Sequence, residues 1–130
     1  MRPFEATRLP VEPDALAPDG SAVRTLLRLD GGSMSHFELP GGCTSAAVTH
    51  RTVEELWFIL GGRGEMWRRQ GEREEVVVLA PGVCLSIPHG THFQFRAFKE
   101  EALRAVAVTM PPWPGDDEAL AVPGPWAPGG

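Results

Sequence analysis

The stretch His50-Arg51-Thr52-Val53-Glu54-Glu55-Leu56-Trp57-Phe58-Ile59-Leu60-Gly61-Gly62-Arg63-Gly64 decides how this chain is read. A histidine comes first, a carboxylate four residues later, then a short apolar run and a glycine turn. That order predicts polar groups carried on adjoining β-strands, since short apolar runs separated by Gly-rich turns pair as hairpins. His50 and Glu54 are the candidates for holding a metal or moving a proton. Two positions before His50 stands Val48, where a metal site spread over one strand would take a second histidine.

Outward from this segment, similar runs recur about every ten residues: Val23–Leu29, Ser33–Leu39, Ser45–His50, Glu54–Leu60, Gly64–Arg69, Glu74–Leu79, Val83–Ile87, His92–Ala97 and Leu103–Met110. Turn sequences separate them, among them Asp30-Gly31-Gly32, Pro40-Gly41-Gly42, Gln70-Gly71, Pro81-Gly82 and His89-Gly90. This rhythm predicts an all-β sandwich or barrel. Leu56 to Leu60 is apolar at every position, so both faces of that strand should be covered. A second sheet, the terminal arms or a second subunit could supply the outer cover, and a homodimer is the expectation.

The flanks differ in composition. Residues 1–21 hold Pro3, Pro10, Pro13 and Pro18 without a sustained period and read as an extended arm. The barrel is expected over 22–110. Beyond it, 111–130 carries six of the 13 prolines and cannot supply a central strand, because proline donates no amide hydrogen. Trp113 in this tail is expected to pack on the barrel or on a partner chain. Residues 123–130 fit a loose end equally well.

At 130 residues the chain suffices for one domain with a real core. Its 15 glycines and 13 prolines speak for short strands rather than long helices. The net charge of −5 argues against nucleic acid as a partner. No apolar run is long enough for a membrane span, and residues 1–7 do not resemble a secretory signal. Cys43 and Cys84 are the only cysteines, read as reduced thiols of a cytoplasmic protein.

These motifs resemble the cupin family. Its first motif is Gly, five residues, His-x-His, three or four residues, Glu, six residues, Gly; here Gly42, Val48-Thr49-His50, Glu54 and Gly61 match that spacing. Its second is Gly, five residues, Pro-x-Gly, two residues, His, three residues, Asn; here Gly82 and Pro88-His89-Gly90 fit, while the histidine falls on Phe93 and the asparagine on Ala97. The resemblance covers residues 23–110 and implies a small double-sheet jelly-roll barrel, the double-stranded β-helix. In typical cupins three histidines and a glutamate bind one divalent metal. Carried over, only His50 and Glu54 remain, and two ligands make a weak transition-metal site.

Two further histidines could complete it. If one residue is skipped after Gly90, His92 turns inward with Gln94 and Arg96; without the skip, Phe93 and Phe95 do. His36 alternates with Phe37 and faces either solvent or the interior. The metal, if one binds, would be Zn, Fe, Mn or Ni, held by His50, Glu54 and either His92 or His36; a metal-free site is nearly as well supported. Phe58, Phe93, Phe95, Gln94, Arg96 and Met66 are the candidates for lining a small-molecule pocket, although plain core is the more usual fate of such aromatics.

The first expectation is therefore an enzyme acting on a small molecule in the barrel. Its catalytic pair would be His50 and Glu54, working by proton transfer of the isomerase, epimerase or cyclase kind or with a weakly held divalent metal. Dioxygen chemistry is disfavoured, because it needs a firmly held iron or copper. The alternative is a binding module without catalysis. The fold does not choose between them.

Overall fold

The computed structural model describes residues 1–16, 21–115 and 117–130. The strands in chain order are β1 (Ala15–Leu16), β2 (Ala22–Arg28), β3 (Ser33–Leu39), β4 (Val48–His50), β5 (Glu54–Gly61), β6 (Gly64–Gln70), β7 (Arg73–Leu79), β8 (Cys84–Ile87), β9 (His92–Ala97), β10 (Leu103–Met110) and β11 (Ala119–Ala121). They form two antiparallel sheets, a six-stranded one ordered β1-β2-β3-β10-β5-β8 and a five-stranded one ordered β11-β4-β9-β6-β7. The nine expected strands match the observed β2 to β10 closely. The expected Ser45–His50 strand is the exception, narrowing to Val48–His50. Among the described residues no helix is long and apolar enough to cross a membrane.

Strict alternation puts one face of each central strand into the space between the sheets. On β5 the inward set is Glu55, Trp57, Ile59 and Gly61, and on β10 it is Leu103, Ala105, Ala107 and Thr109. The core gathers Leu39, Trp57, Ile59, Met66, Leu79, Leu85, Ile87, Phe93, Phe95 and Leu103. β10 lies between β3 and β5 and turns only alanines inward at its centre, opposite Phe37 and Trp57. Those small side chains leave room for the Phe37 and Trp57 rings to stack across it, centroids 5.4 Å apart and 4° from parallel. Trp57 also meets the Phe95 edge at 5.1 Å.

The turn closing β5 requires glycine. Gly62 has φ +78, and a Cβ there would come within 2.1 Å of the Ala102 carbonyl oxygen.

β11, from the Pro-rich tail, adds to the edge of the second sheet beside β4, with Ala119 opposite His50 and Ala121 opposite Val48. Glu118 fastens its start. Its buried carboxylate accepts hydrogen bonds from the Thr52 hydroxyl (2.5 Å), the Thr52 amide (2.7 Å) and the Val53 amide (3.2 Å). Burial pushes this carboxyl up, but those donors favour the ionised form and the net shift is downward. Beyond β11, Gln94 clasps the tail: its Nε2 donates to the Ser45 and Trp126 carbonyls at 2.8 and 2.9 Å, and its Oε1 accepts from the Trp126 amide at 3.2 Å.

Replacing Gln94 by Leu orphans those three backbone groups. The expected loss is about 2 kcal/mol in urea unfolding, with faster proteolysis confined to 122–130. An unchanged midpoint would show that the clasp contributes nothing.

Candidate active site

The residues at one end of the barrel interior are polar. β4 delivers His50, 7% exposed, and β5 delivers Glu55, 4% exposed. His50 Nδ1 lies 3.2 Å from Glu55 Oε2, yet without the alignment of a hydrogen bond. The partner of His50 is thus Glu55 and not Glu54. Alternation turns Glu54 to the exposed outer face, and Glu55, Trp57 and Ile59 inward. The four-residue spacing that the first cupin motif also allows selects Glu55, and the turn glycine then becomes Gly62.

Three aromatic rings enclose the pair. The edges of Phe93 and Trp113 each meet the His50 ring at 5.2 Å between centroids. Trp57 follows Glu55 on the same face, and its indole nitrogen is buried without a well-aligned partner. Trp113 comes from the tail and is held by its amide donating to Ser33 Oγ at 3.0 Å. Ser33 in turn shares a 2.6 Å hydrogen bond with Thr109, which lies opposite Glu55 in the sheet.

This dry setting acts on both titratable groups in the direction that disfavours charge. Burial lowers His50 from 6.5 to about 4, against the pull of Glu118 and with a small push from His89. Burial raises Glu55 from 4.5 to about 8; the Trp57 N–H offsets part of that rise and Glu118 adds to it. Near pH 7 the pair is therefore a neutral imidazole beside a neutral carboxylic acid rather than an ion pair. The two descriptions carry the same number of protons, and desolvation favours the uncharged one.

The other expected residues separate into two groups. Phe93, Phe95 and Met66 are buried and face inward, so the strand runs without the skip after Gly90. His92 accordingly turns to the outer side, as do Gln94 and Arg96. Gln94 binds the tail as described. Arg96 pairs with Glu65 and stacks over Trp126 at 4.0 Å, so neither lines an interior pocket. Phe58 is 47% exposed on the outside of the first sheet. His36 shares that outer side, since its neighbour Phe37 is the one that stacks in the core. Its pKa is lowered by burial and by Arg24, with Glu38 opposing. Neither His36 nor His92 is placed with His50.

A cleft of about 240 Å³ is lined by Arg68, Arg69, Gln70, Arg73, Glu75, Ser86, Pro88 and Thr91, and neither His50 nor Glu55 lines it. Arg68 lies opposite Phe93 in the sheet, so the cleft borders the ring that packs on His50. The expectations from sequence missed Glu55, Trp57 and Arg68. The alternation of Glu55, Trp57 and Ile59 was a usable signal for the first two; Arg68 sits in a mixed-charge run that gives none.

Two facing antiparallel sheets with a polar, aromatic-walled mouth at one end define a double-stranded β-helix protein. A cupin-domain family model matches residues 35–109, and the chain belongs to the cupin family. Solved structures share the fold at low identity. KdgF from Halomonas sp. is 17% identical with a TM-score of 0.64, over 75% of this chain and 85% of that one. CapF from Staphylococcus aureus, a capsular polysaccharide assembling protein, is 13% identical with a TM-score of 0.73, over 90% of this chain but only 35% of its own. A double-stranded β-helix protein from Klebsiella pneumoniae is 16% identical with a TM-score of 0.65, over 80% of this chain and 85% of that one. No curated protein matches the sequence.

The family's metal does not fit the residues present. Among the described residues no three His, Cys, Asp or Glu side chains converge. The motif positions for the two further histidines hold Val48 and Phe93, which face each other across β4 and β9 and carry no donor atoms. His50 and Glu55 alone are two donors where a transition ion normally takes three or more from the protein.

Proposed function

We propose that this cupin binds a small molecule at the barrel mouth and transfers a proton on it, Glu55 acting as general acid and His50 as general base. The observation that carries the reading is the opposite displacement of two adjacent groups. Between about pH 4 and pH 8 Glu55 keeps its proton and His50 keeps a free lone pair. A donor and an acceptor side by side suit isomerisation, epimerisation or cyclisation, in which one proton arrives as another leaves. Phe93, Trp113 and Trp57 supply the apolar walls that exclude water from the pair. The alternative, a binding module, uses the same walls without turnover.

The test is a panel of small sugars and carbonyl compounds incubated in D2O, with deuterium incorporation read by NMR. Exchange that is lost on Glu55→Gln supports catalysis. Saturable ligand binding with no exchange across the panel overturns it in favour of the module. The reading also predicts a bell-shaped kcat/KM profile, its acid limb near pH 4 from protonation of His50 and its alkaline limb near pH 8 from ionisation of Glu55.

We further propose a homodimer through the outer face of the first sheet. Leu56, Phe58, Leu60 and Met34 are 53%, 47%, 42% and 38% exposed there, so the described arms do not supply the cover expected for β5. Exposed Arg104 borders this patch beside Gly61, and exposed Glu54 borders its other end beside Met110. A two-fold axis across the strands would set each subunit's Arg104 end against the other's Glu54 end, which makes a second copy the complementary occupant. Light scattering should give twice the chain mass, falling to one chain mass in Phe58→Asp with the fold retained. A monomeric wild-type chain would contradict this.

A further inference from the structure

We propose that the arginine-lined cleft, linked to His50 through Arg68 opposite Phe93, is an oxyanion subsite, which gives the ligand a carboxylate or phosphate group. This rests on the barrel mouth being the ligand site, and it adds the ligand's chemical class. Arg68 and Arg73 line the cleft with one carboxylate, Glu75, and Arg69 borders it from the other face of β6. Glu75 is already engaged, with Arg68 Nη2 at 2.6 Å from its Oε1 and Arg73 Nη2 at 3.7 Å from its Oε2. Glu74, opposite Arg69 in the sheet, accepts from the Trp67 indole N–H at 2.6 Å and keeps its negative charge. Against Glu74 and Glu75 the three arginines thus leave one positive charge without a counter-charge.

The donors are also arranged. Arg68 is pinned across the mouth from one sheet to the other, its Nη1 donating to the Ser86 carbonyl at 2.8 Å, while its Nε is buried with no partner. Arg69 is held by Nε donating to the Gly71 carbonyl at 2.8 Å, and among the described residues no carboxylate pairs with its terminal nitrogens. Gln70 Nε2 donates to Thr91 Oγ1 at 3.1 Å, so the hydroxyl proton of Thr91 is free to donate in turn. Planar guanidinium forks beside a hydroxyl match the oxygens of a carboxylate or phosphate. In a chain of net charge −5 a cleft with an excess of arginine over carboxylate is a local exception.

The experiment titrates the full chain with inorganic phosphate and with succinate, using uncharged succinamide as the control, and follows the amide signals of Gln70 and Thr91. Saturable shifts with a Kd at or below roughly 1 mM are expected for one or both anions and not for succinamide. Phosphate and succinate distinguish the two oxyanion chemistries. Arg69→Gln/Arg73→Gln, which leaves the Arg68 bridge intact, should weaken binding about tenfold with the fold retained. Shifts that do not saturate, or an affinity unchanged in the double variant, would overturn the inference. Glu55→Gln should leave anion binding in place, so a silent Glu55 with a working cleft defeats only the proton-transfer reading. A working Glu55 with a silent cleft defeats only this one.

Discussion

Glu55→Gln should cut proton-transfer turnover by roughly 10²- to 10⁴-fold and at the same time make the protein more tolerant of alkaline pH. The second effect follows from linkage. The folded state raises Glu55 from 4.5 to about 8, so stability from this group is fully present below 4.5 and is lost as pH rises to about 8. The folded state lowers His50 from 6.5 to about 4, so its contribution is present above 6.5 and is lost as pH falls toward 4. Between 4.5 and 6.5 the two slopes oppose each other and nearly cancel. From 6.5 to 8 only Glu55 acts, and about 1.4 kcal/mol per pH unit removes roughly 2 kcal/mol. Urea unfolding at several pH values should show that fall in the wild type and a flat line in Glu55→Gln. A fall that persists in the variant would assign it to another group.

Trp57→Ala should destabilise the protein by about 3–5 kcal/mol, enough to leave a domain of this size near its unfolding threshold. The indole is 4% exposed, stacks on Phe37, meets the edge of Phe95 and lies beside Glu55, so few neighbours can move into the space it leaves. Trp57→Phe separates packing from polarity. It keeps an aromatic ring in the stack and costs less, but it deletes the N–H that holds the Glu55 pKa down. The alkaline loss of stability should then extend past pH 8. A Phe variant as unstable as the Ala variant would mean that the polar contact outweighs the stack.

The β-barrel was legible because its signals are local. Turn glycines and period-two alternation fix where strands begin, end and face, and β3, β9 and β10 run over the same residues as the sequence spacing indicates. The site was less legible because it depends on parity. With Glu54 and Glu55 adjacent, a spacing that tolerates three or four residues fits both, while the pleat admits only one to the interior. The alternation of Glu55 with Trp57 and Ile59 decides the matter once the apolar run is divided into two faces. β11 was illegible for a different reason. Ala119–Ala121 is too short to show a period, and what holds it is long-range: the Glu118 carboxylate on the Thr52–Val53 turn and Gln94 on Trp126. No local signal reports a strand that exists because of partners some 70 and 30 residues away.

The exposed row Leu56, Phe58 and Leu60 belongs to the same lesson. Unbroken apolarity led to the expectation of cover on both faces, whereas the outer face of β5 is exposed in the single chain. The charged ends of the patch favour a second copy of the chain.

The pair His50–Glu55 carries the proposed chemistry, and the most direct measurement of it is a ¹³C NMR titration of the Glu55 side-chain carboxyl, with the His50 ring nitrogens followed in the same sample. The proposed proton-transfer pair requires a protonated Glu55 at pH 7 that ionises near 8, and an imidazole that stays neutral until the pH approaches 4. A Glu55 carboxylate already ionised at pH 7 beside a protonated His50 would contradict it.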